Sequence, residues 1–340
     1  MNDPNAADAD SAVSGDPSDA NARPPEAIDP KRAEELRAKF YNATLIDRRD
    51  VHDDLACFRV RPDAGVPQFK AGQYVAIGLG YWEPRLRGTQ HEDVPEKRRQ
   101  KVVRRAYSIS CPLIDSQGKL TTHADIDYFE FYITLVREAA TVVSKPPALT
   151  PRLFGLAAGD RLVVEKKVVG TYCLEGISPE DTVVMLGTGT GEAPHNAMLA
   201  DLLSSGHTGR IVLATSARFR SDLGYLAQHQ KLTSAYPHYR YLPLTTREVQ
   251  NLDPTHPEFV GKQYLQALFT SGKLAEMADD PLDPSNTHVF LCGNPDMIGY
   301  VPPGGDPPER PGMLPLLREA GFRDDFDQPG PGCVRFEKYW

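Results

Sequence analysis

The sequence has few of the features that mark metal centres, disulfide frameworks or membrane proteins. Its five cysteines are scattered and form no Cys-x-x-Cys pair, which argues against zinc, an iron–sulfur cluster or a set of disulfides. The nine histidines include no His-Glu-x-x-His pattern. No apolar run approaches the roughly 20 residues of a membrane span, and no signal-peptide pattern opens the chain. We therefore expect a metal-free, cytoplasmic protein without a membrane segment.

Positive charge is also scarce. The formal net charge is −8, which argues against a nucleic-acid-binding protein. Residues 1–29 hold seven acidic residues, one arginine and almost no large apolar side chain. Such a segment cannot bury enough surface to offset the entropy lost on ordering, so we predict a disordered acidic tail. The chain has 340 residues, more than a single hydrophobic core ordinarily accommodates, so we expect two domains. We also expect a monomer.

The spacing of apolar residues changes once along the chain. Short strand-like runs separated by Asp, Gly, Pro and Asn predict an antiparallel β-barrel in the domain 30–177, after a helix from Pro30 to Lys39 capped by Asp29. Strands and helices then alternate in the domain 178–340, which predicts a doubly wound parallel sheet. The predicted barrel strands are 41–46, 55–60, 74–79, 102–110, 129–136 and 161–169. In the second domain we predict strands 182–186, 210–215, 239–244 and 288–291, and helices 196–203, 221–230 and 262–270.

Two polar stretches, 81–103 and 301–311, interrupt these patterns and are predicted to be insertions. The first is basic, because residues 81–105 hold eight Lys or Arg against four Asp or Glu. The second has five prolines and two glycines, too many for a helix or strand. A solvated loop is the simpler interpretation of both.

A glycine-rich turn follows the apolar run Thr182–Leu186. Glycines at 187, 189 and 191 remove β-carbons, so backbone N–H groups could close on a phosphate at the start of the next helix. Glu192 stands where Gly-x-Gly-x-x-Gly would need glycine, and the lysine of a triphosphate-binding loop is missing. A plain tight turn is the alternative.

Two segments of the predicted barrel carry residues suited to an anionic, aromatic ligand. In Arg105-Ala106-Tyr107-Ser108 the guanidinium can bind a phosphate, and the tyrosine ring can lie against a flat heteroaromatic ring. An ordinary edge strand is the alternative. Thr150 precedes Pro151 and is predicted to cap a short helix while facing an anion, although a cap alone would explain it equally well.

Further candidates lie in the second domain. Arg218, Arg247 and Lys262 each follow a predicted strand or loop at one sheet edge, which favours binding of a 2′-phosphate, although each alone would suit a solvated surface. Cys292 follows the last predicted strand and would ordinarily be a small core residue. The aromatic chain end, Val334 to Trp340, is either a last strand against the core or part of a ligand site.

These motifs together resemble the bacterial-type ferredoxin/flavodoxin–NADP reductases, an FNR-like flavoprotein family. The matching strings are Gly-Thr-Gly-Thr-Gly-x-Ala-Pro from 187, Arg-x-Tyr-Ser from 105, Cys-Gly-Asn-Pro-x-Met from 292 and the aromatic terminus. The resemblance covers roughly residues 35–340 and implies FAD and NADP(H) as cofactors. It assigns to FAD Arg105, Ala106, Tyr107, Ser108, Val136, Leu149, Thr150, Tyr339 and Trp340. It assigns to NADP(H) Gly187, Thr188, Gly189, Arg218, Arg247, Lys262, Gly293, Asn294 and Met297.

The resemblance also implies an activity. Arg105 would meet the FAD pyrophosphate, Tyr107 and Tyr339 the flavin ring, and Trp340 the adenine. The implied catalytic residues are Ser108, Cys292, Glu337 and Tyr339, with Cys292 beside the nicotinamide and Glu337 relaying a proton through Ser108 to flavin N5. Glu192 and His195 replace residues that are commonly apolar in this family, and a carboxylate there repels a pyrophosphate unless it points to solvent.

The family acts between NADP(H) and a separate one-electron carrier. We expect ferredoxin or flavodoxin as the partner, contacting the basic segment 81–105 by charge complementarity. Two other functions are open: the NAD(P)H-dependent reductase component of an oxygenase, and a flavin- or nucleotide-binding regulator without turnover.

Overall fold

The computed structural model describes residues 28–139, 144–301, 310–324 and 330–339. Most of the predicted acidic tail, most of the second insertion and Trp340 lie outside these residues. Within the described ranges, no helix is long and apolar enough to cross a membrane. The same residues hold no group of three His, Cys, Asp or Glu side chains arranged to bind a metal ion.

The first half of the chain forms an antiparallel sheet that closes into a barrel. Its six strands have the order β4-β3-β8-β1-β2-β7, and the edges β4 and β7 are joined where the Ser110 amide donates to the Glu130 carbonyl at 2.8 Å. This contact pairs the two edge strands, so the sheet closes on itself as a barrel. The strands of this half are β1 (Ala43–His52), β2 (Leu55–Pro62), β3 (Tyr74–Gly80), β4 (Val102–Ser108), the hairpin β5 (Leu113–Ile114) and β6 (Leu120–Thr121), β7 (Phe129–Thr134) and β8 (Arg161–Val164).

Three helices accompany the barrel. Helix α1 (Pro30–Phe40) begins where predicted, with the Asp29 carboxylate accepting from the Lys31 amide at 3.2 Å. The short α2 (Glu96–Arg99) lies in the basic insertion, and α3 (Thr150–Leu153) precedes β8. The insertion is therefore partly helical, and Arg32 of α1 donates to Gln100 at its end.

The second half of the chain forms a five-stranded parallel sheet of order β11-β10-β9-β12-β13. Its strands are β9 (Thr182–Thr188), β10 (Ile211–Ala217), β11 (Tyr239–Thr245), β12 (Thr287–Gly293) and β13 (Val334–Lys338). Its helices are α4 (Glu192–Ser204), α5 (Leu226–Ala235), α6 (Val249–Leu252), α7 (Leu265–Thr270), α8 (Lys273–Ala278), α9 (Pro295–Ile298) and α10 (Met313–Glu319). The predicted fold class is confirmed. The chain end forms a strand, one of the two interpretations that the sequence allowed.

The strand order places a ligand crevice at a definite point. The connections from β9 lead first to β10 and β11 on one side and then to β12 and β13 on the other, so the order reverses between β9 and β12. Ligands of open α/β sheets bind at the carboxyl ends of the strands at such a point. Here those ends are Thr188 and Gly293.

A shared core joins the barrel to the sheet. One cluster of buried apolar residues includes Leu55, Leu113 and Tyr132 from the barrel with Met198 and Tyr225 from the α/β unit. Helix α4 lies within this core, and eleven of its thirteen residues are buried. The carboxyl ends of the parallel strands face the barrel across a common cavity.

Candidate functional site

A cavity of about 1560 Å³ lies between the barrel and the carboxyl ends of the parallel strands. It exceeds the roughly 300–1,000 Å³ of ordinary single-ligand pockets. Both halves of the chain contribute to its lining, including most of the predicted site residues. Those that line it are Arg105, Ala106, Tyr107, Ser108, Val136, Leu149, Thr150, Thr188, Gly189, Arg218, Asn294, Met297, Glu337 and Tyr339.

Five predicted site residues that the structure describes do not line this cavity: Gly187, Arg247, Lys262, Cys292 and Gly293. Gly187 is packed against α4. Arg247 and Lys262 are exposed beyond the cavity, although the Arg247 amide donates to the Arg218 carbonyl at 2.8 Å. Trp340, the sixth, lies outside the described residues.

On the barrel wall, strand β4 presents an unpaired cation. The Arg105 guanidinium donates to the neighbouring Arg104 carbonyl at 2.8 Å, and it makes no ion pair with any residue that the structure describes. The adjacent Arg104 instead pairs with Glu165 at 2.5 Å. Tyr107 packs edge-on against Phe131, with ring centroids 6.3 Å apart. A phosphate and a flat ring would thus find partners two residues apart on one strand.

The prediction that Thr150 caps a helix is wrong. Thr150 is the first residue of α3 rather than its cap, and the residue before it, Leu149, has helical backbone angles. The Thr150 hydroxyl accepts from the Val136 amide at 3.1 Å. It therefore ties α3 to the end of β7, and both residues line the cavity.

Two glycines allow the backbone to pack closely where β9 and β12 end: Gly191 in the turn after β9, and Gly293 at the end of β12. A β-carbon on Gly191 would lie 2.4 Å from the Cys292 carbonyl oxygen, and one on Gly293 would lie 2.3 Å from Thr188 Oγ1. The Asn294 amide donates to that same hydroxyl at 2.8 Å, so β9 and β12 meet tightly at the reversal point. Gly189, with φ of +51°, has open space around it and borders the cavity.

The chain end forms part of the cavity wall. In β13, which pairs with β12, Glu337 lies beside Cys292 and accepts from the Ser108 hydroxyl of the barrel at 3.3 Å. Burial raises the pKa of Glu337 to about 7, and the Ser108 hydrogen bond opposes that rise. A carboxyl group with such a pKa can hold or release a proton near neutral pH.

Tyr339 covers the cysteine that the sequence placed at the ligand. Its amide donates to the Gly293 carbonyl at 3.0 Å and its hydroxyl to the Thr190 carbonyl at 3.3 Å. Cys292 is completely buried and hydrogen-bonded to Tyr339, and burial raises the pKa of its thiol well above the usual value. In this arrangement the thiol is an inert, covered group, so direct contact of Cys292 with a ligand would require Tyr339 to move.

Several cavity residues were missed from the sequence. His52 of the barrel and Asp222 of the sheet line the cavity and approach to 3.2 Å, which joins the two halves across it. The Arg218 guanidinium lies 3.6 Å from the same carboxylate. Lys145 and Arg310 add positive charge to the lining. Their only sequence signal was a basic residue beside a proline-rich loop, which is common on protein surfaces.

The sequence left open whether the Glu192 carboxylate points to solvent or toward a bound pyrophosphate. The Glu192 side chain is completely buried and points neither to solvent nor into the cavity; it accepts hydrogen bonds from Thr215 and Tyr241. His195 is also buried and bonds the Tyr172 hydroxyl at 2.7 Å. Burial lowers the pKa of His195 to about 3, so it is neutral. Neither side chain can repel a phosphate by pointing at it.

Comparison with known proteins agrees with this geometry. Residues 185–302 match the family model described as "Oxidoreductase NAD-binding domain". The chain is 28% identical over 244 residues to the flavodoxin/ferredoxin–NADP reductase of Escherichia coli (strain K12), covering 72% of this chain and 81% of that protein. It is 26% identical over 264 residues to the ferredoxin–NADP reductase of Pseudomonas aeruginosa, covering 77% of this chain and 87% of that protein.

A solved structure shares the whole fold. The ferredoxin NADP+ reductase from Neisseria gonorrhoeae with bound FAD and NADP superimposes with a TM-score of 0.62 at 19% identity, over 88% of this chain and 98% of that chain. The combination of an antiparallel barrel and a parallel sheet thus occurs in a known protein. The chain is thus similar in sequence to ferredoxin and flavodoxin–NADP reductases, carries a match to an oxidoreductase NAD-binding domain, and shares its two-part fold with a solved structure of that kind.

Proposed function

We propose that the protein is an FAD-dependent oxidoreductase that transfers electrons between NADP(H) and a one-electron carrier protein, as a ferredoxin or flavodoxin–NADP reductase. One observation carries the proposal. The cavity brings Arg105 to Ser108 of the barrel opposite the glycine turn of the sheet, with Glu337 and Tyr339 between them. A site of that form can hold two ring systems between its walls.

The barrel domain, residues 30–177, is the proposed FAD domain. Its lining fits the cofactor because Arg105 lacks an ion-pair partner among the described residues and Lys145 adds a second cation to the cavity lining. Tyr107 and Tyr339 supply flat aromatic faces for the flavin. Thr150, Leu149 and Val136 complete this wall, and Ala106 leaves room beside the arginine. Trp340 would cover the adenine.

The α/β domain, residues 178–340, is the proposed NADP(H) domain. Thr188 and Gly189 form its glycine wall, and Asn294 and Met297 follow β12. Arg218 would bind the 2′-phosphate from inside the cavity, with the exposed Arg247 and Lys262 as outer cations. Gly187 and Gly293 contribute through close packing at the strand ends.

FAD would supply the conversion between the two-electron chemistry of NADP(H) and one-electron transfer. The residues of the chain then have three tasks. The facing walls hold the reacting rings in register. Glu337 and Ser108 hold a proton at the edge of the proposed flavin position, flavin N5, where the carboxyl can exchange it near neutral pH. Tyr339 excludes water and covers Cys292 until the nicotinamide takes its place.

The absorption spectrum of the purified protein tests this function directly. We expect a yellow protein that releases FAD on denaturation and that NADPH bleaches at lower concentrations than NADH. Reduction of ferricyanide would then exclude a regulator without turnover, and a comparison of ferredoxin, flavodoxin and an oxygenase component as acceptors would identify the partner class. A colourless protein that takes up no flavin would contradict the proposal.

The basic insertion is the proposed docking surface for an acidic ferredoxin or flavodoxin. Arg85 and Arg99 pair with Glu92 and Glu96. The side chains that are exposed and make no ion pair with any described residue are Arg87, Lys97, Arg98 and Lys101. Clustered charge of this kind steers association and makes it salt-dependent.

Charge reversal tests the docking surface. In Lys97→Glu/Arg98→Glu we expect reduction of the carrier at low salt to slow by about tenfold or more, while ferricyanide reduction is unchanged. The control Lys119→Glu/Lys231→Glu makes the same change of charge at two other exposed sites. Equal loss in both double variants, or no salt dependence in the wild type, would argue against docking at the insertion.

A further inference from the structure

A buried polar cluster lies behind the glycine turn, outside the cavity. Glu192 is the first residue of α4, and its Oε1 accepts from Tyr241 at 2.8 Å and Thr215 at 3.0 Å. His229 of α5 approaches the same oxygen with Nε2 at 3.2 Å. Glu192 and His229 are fully buried, and Thr215 and Tyr241 are nearly so. One carboxylate thus connects β10, β11 and α5 to the helix that follows the turn.

The partners of Glu192 are themselves fixed in place. The His229 ring stacks on Tyr241 with centroids 4.0 Å apart, and its Nδ1 bonds the Tyr239 hydroxyl at 2.8 Å. Burial raises the pKa of Tyr239 and Tyr241 well above the usual value, so both hydroxyls stay protonated and Tyr241 remains a donor. Several partners thus hold Glu192 Oε1 in one position, and a buried hydrogen-bonded cluster of this kind resists displacement.

Stability alone does not account for a carboxylate at this position. Burying a charge is costly even when it is hydrogen-bonded, and a well-packed apolar side chain would often be equally stable. Glu192 Oε2 has no hydrogen-bond partner among the described residues, which adds to that cost. What the carboxylate provides, and an apolar residue cannot, is a directional link between particular neighbours.

The residues that adjoin Glu192 and Thr215 in the chain line two walls of the proposed NADP(H) site. Glu192 follows the turn whose residues Thr188, Gly189 and Thr190 line the cavity. Thr215 immediately precedes Ser216 in β10, and the lining continues through Ala217 and Arg218. The bond between Glu192 and Thr215 therefore fixes the glycine wall relative to the wall that carries the arginine.

We propose that Glu192 is a positioning residue for the dinucleotide: through Thr215 and Tyr241 it sets the separation between the glycine turn and the Arg218 end of β10. The inference rests on the proposed NADP(H) function and concerns how that site is held. Glu192 touches no ligand in this proposal. A shift of one wall by about 1 Å is enough to weaken binding of a ligand held at both ends.

Three variants separate positioning from general stability. Glu192→Gln keeps an oxygen that can accept from Tyr241 and Thr215, whereas Glu192→Leu removes the acceptor that both hydroxyls share. Leu202→Ala is the structural control, because Leu202 is a buried residue of the same helix that bonds no member of the cluster. FAD content and thermal unfolding are measured for each protein.

Binding of NADP+ to the FAD-loaded proteins by calorimetry is the primary measurement. We expect Glu192→Leu to raise the Kd for NADP+ by about tenfold, and the KM for NADPH similarly, with kcat for ferricyanide within about twofold. Glu192→Gln should stay within about threefold of wild type. Leu202→Ala should lower the unfolding temperature at least as much as Glu192→Leu, yet bind NADP+ within about twofold of wild type.

Two results would overturn the inference while leaving the proposed function intact. Wild-type affinity in Glu192→Leu would show that the link does not set the site. An equal loss of affinity in Leu202→Ala would show that helix stability, not the link, matters. Wild-type protein that binds neither NADP+ nor NADPH would instead refute the proposed function itself, and this inference with it.

Discussion

Two adjacent arginines on β4 differ in a way that the sequence cannot show. Arg104 is paired with Glu165 at 2.5 Å, whereas Arg105 bonds only a main-chain carbonyl among the described residues and lines the cavity. An unpaired guanidinium in a cavity is available for a phosphate, and a paired one at the surface contributes little. The motif selects Arg105 as the proposed phosphate ligand, and its unpaired position in the cavity supports that proposal.

The two arginines make a matched test of FAD binding. Arg105→Ala should lower the affinity for FAD by about tenfold to a hundredfold, because one charge-assisted phosphate contact is lost. Arg104→Ala should retain FAD and change stability by less than about 1 kcal/mol. Fluorescence titration of the flavin-free proteins with FAD measures both. Equal affinities in the two variants would mean that Arg105 does not hold the cofactor.

Glu337 predicts a specific pH dependence of stability. Its pKa rises from the usual 4.5 to about 7 in the folded protein, mainly through burial. The folded state therefore binds a proton more tightly than the unfolded chain, so this contribution to stability is fully present below about pH 4.5 and is lost as the pH rises through about 7. The loss amounts to about 3 kcal/mol.

Urea unfolding at pH 4.5 to 8 compares the wild type with Glu337→Gln, which cannot titrate there. We expect the difference in unfolding free energy between the two proteins to fall by roughly 2–3 kcal/mol between pH 4.5 and 7.5. Ser108→Ala should move this change to higher pH, because the Ser108 hydrogen bond lowers the pKa. Parallel curves for wild type and Glu337→Gln would contradict the assigned pKa.

Sequence patterns predicted the regular elements better than their ends. Strand β3 was expected at 74–79 and spans Tyr74–Gly80, and α1 differs by one residue at its end. The helix expected at 221–230 begins only at Leu226, because the Asp222 carboxylate accepts from the Phe219 amide at 3.1 Å and forms an ion pair with Arg218 at 3.6 Å. Side-chain bonds to the backbone of this kind compete with helix formation and are hard to read from spacing.

Site residues could be predicted where a sequence motif indicated both the residue and its proposed role. The prediction failed where tertiary packing determines which partner a polar side chain bonds. Ser108, Glu337 and Tyr339 meet although more than two hundred residues separate the first from the others. Thr150 was wrongly predicted to cap α3, and the orientation of Glu192 could not be predicted, because both side chains bond partners that are distant in the sequence. The amino-acid composition and the spacing of apolar residues indicate the buried face of a whole element, but they do not show which way one isolated polar side chain points.

The chain end acts as a cover, and this predicts a change in thiol reactivity. Cys292 is fully buried beneath Tyr339, and burial raises its pKa, so it should resist thiol reagents at neutral pH. Tyr339→Ala removes the covering ring together with its hydrogen bonds to the Thr190 carbonyl and Cys292. We expect one additional cysteine to react per chain, at a rate at least about tenfold above that in the wild type.

Titration with a chromogenic disulfide reagent measures this reactivity. The double variant Tyr339→Ala/Cys292→Ser should lose the additional reactive thiol, since the other four cysteines are buried in the described structure. Persistence of the extra thiol in the double variant would assign it to another cysteine. An unreactive Tyr339→Ala protein would mean that Tyr339 is not what shields Cys292.

At the scale of the whole molecule, the barrel and the α/β unit pack against each other through a common hydrophobic core and are not joined by a linker alone. Tyr225 of the α/β unit is completely buried, and its hydroxyl donates to Glu130 of the barrel at 2.8 Å. Ser110 donates to the same hydroxyl at 3.2 Å, and Asn196 donates to Ser110 at 3.3 Å. Because the cavity lies between the two halves, this contact also sets the width of the site.

This shared core predicts that the two halves unfold together. Tyr225→Phe removes one hydroxyl at the centre of the contact, leaves Glu130 with one donor fewer, and should cost about 1–3 kcal/mol. Flavin release reports on the barrel and far-ultraviolet circular dichroism on both halves, so their urea midpoints should coincide in the wild type and shift together in the variant. Tyr236→Phe, at a partly exposed tyrosine of the sheet unit, should leave the free energy of unfolding within about 0.5 kcal/mol of the wild-type value. Separate midpoints for the two signals would mean that the halves fold independently, and the spacing of the cavity walls would then have to be set by the bound cofactors.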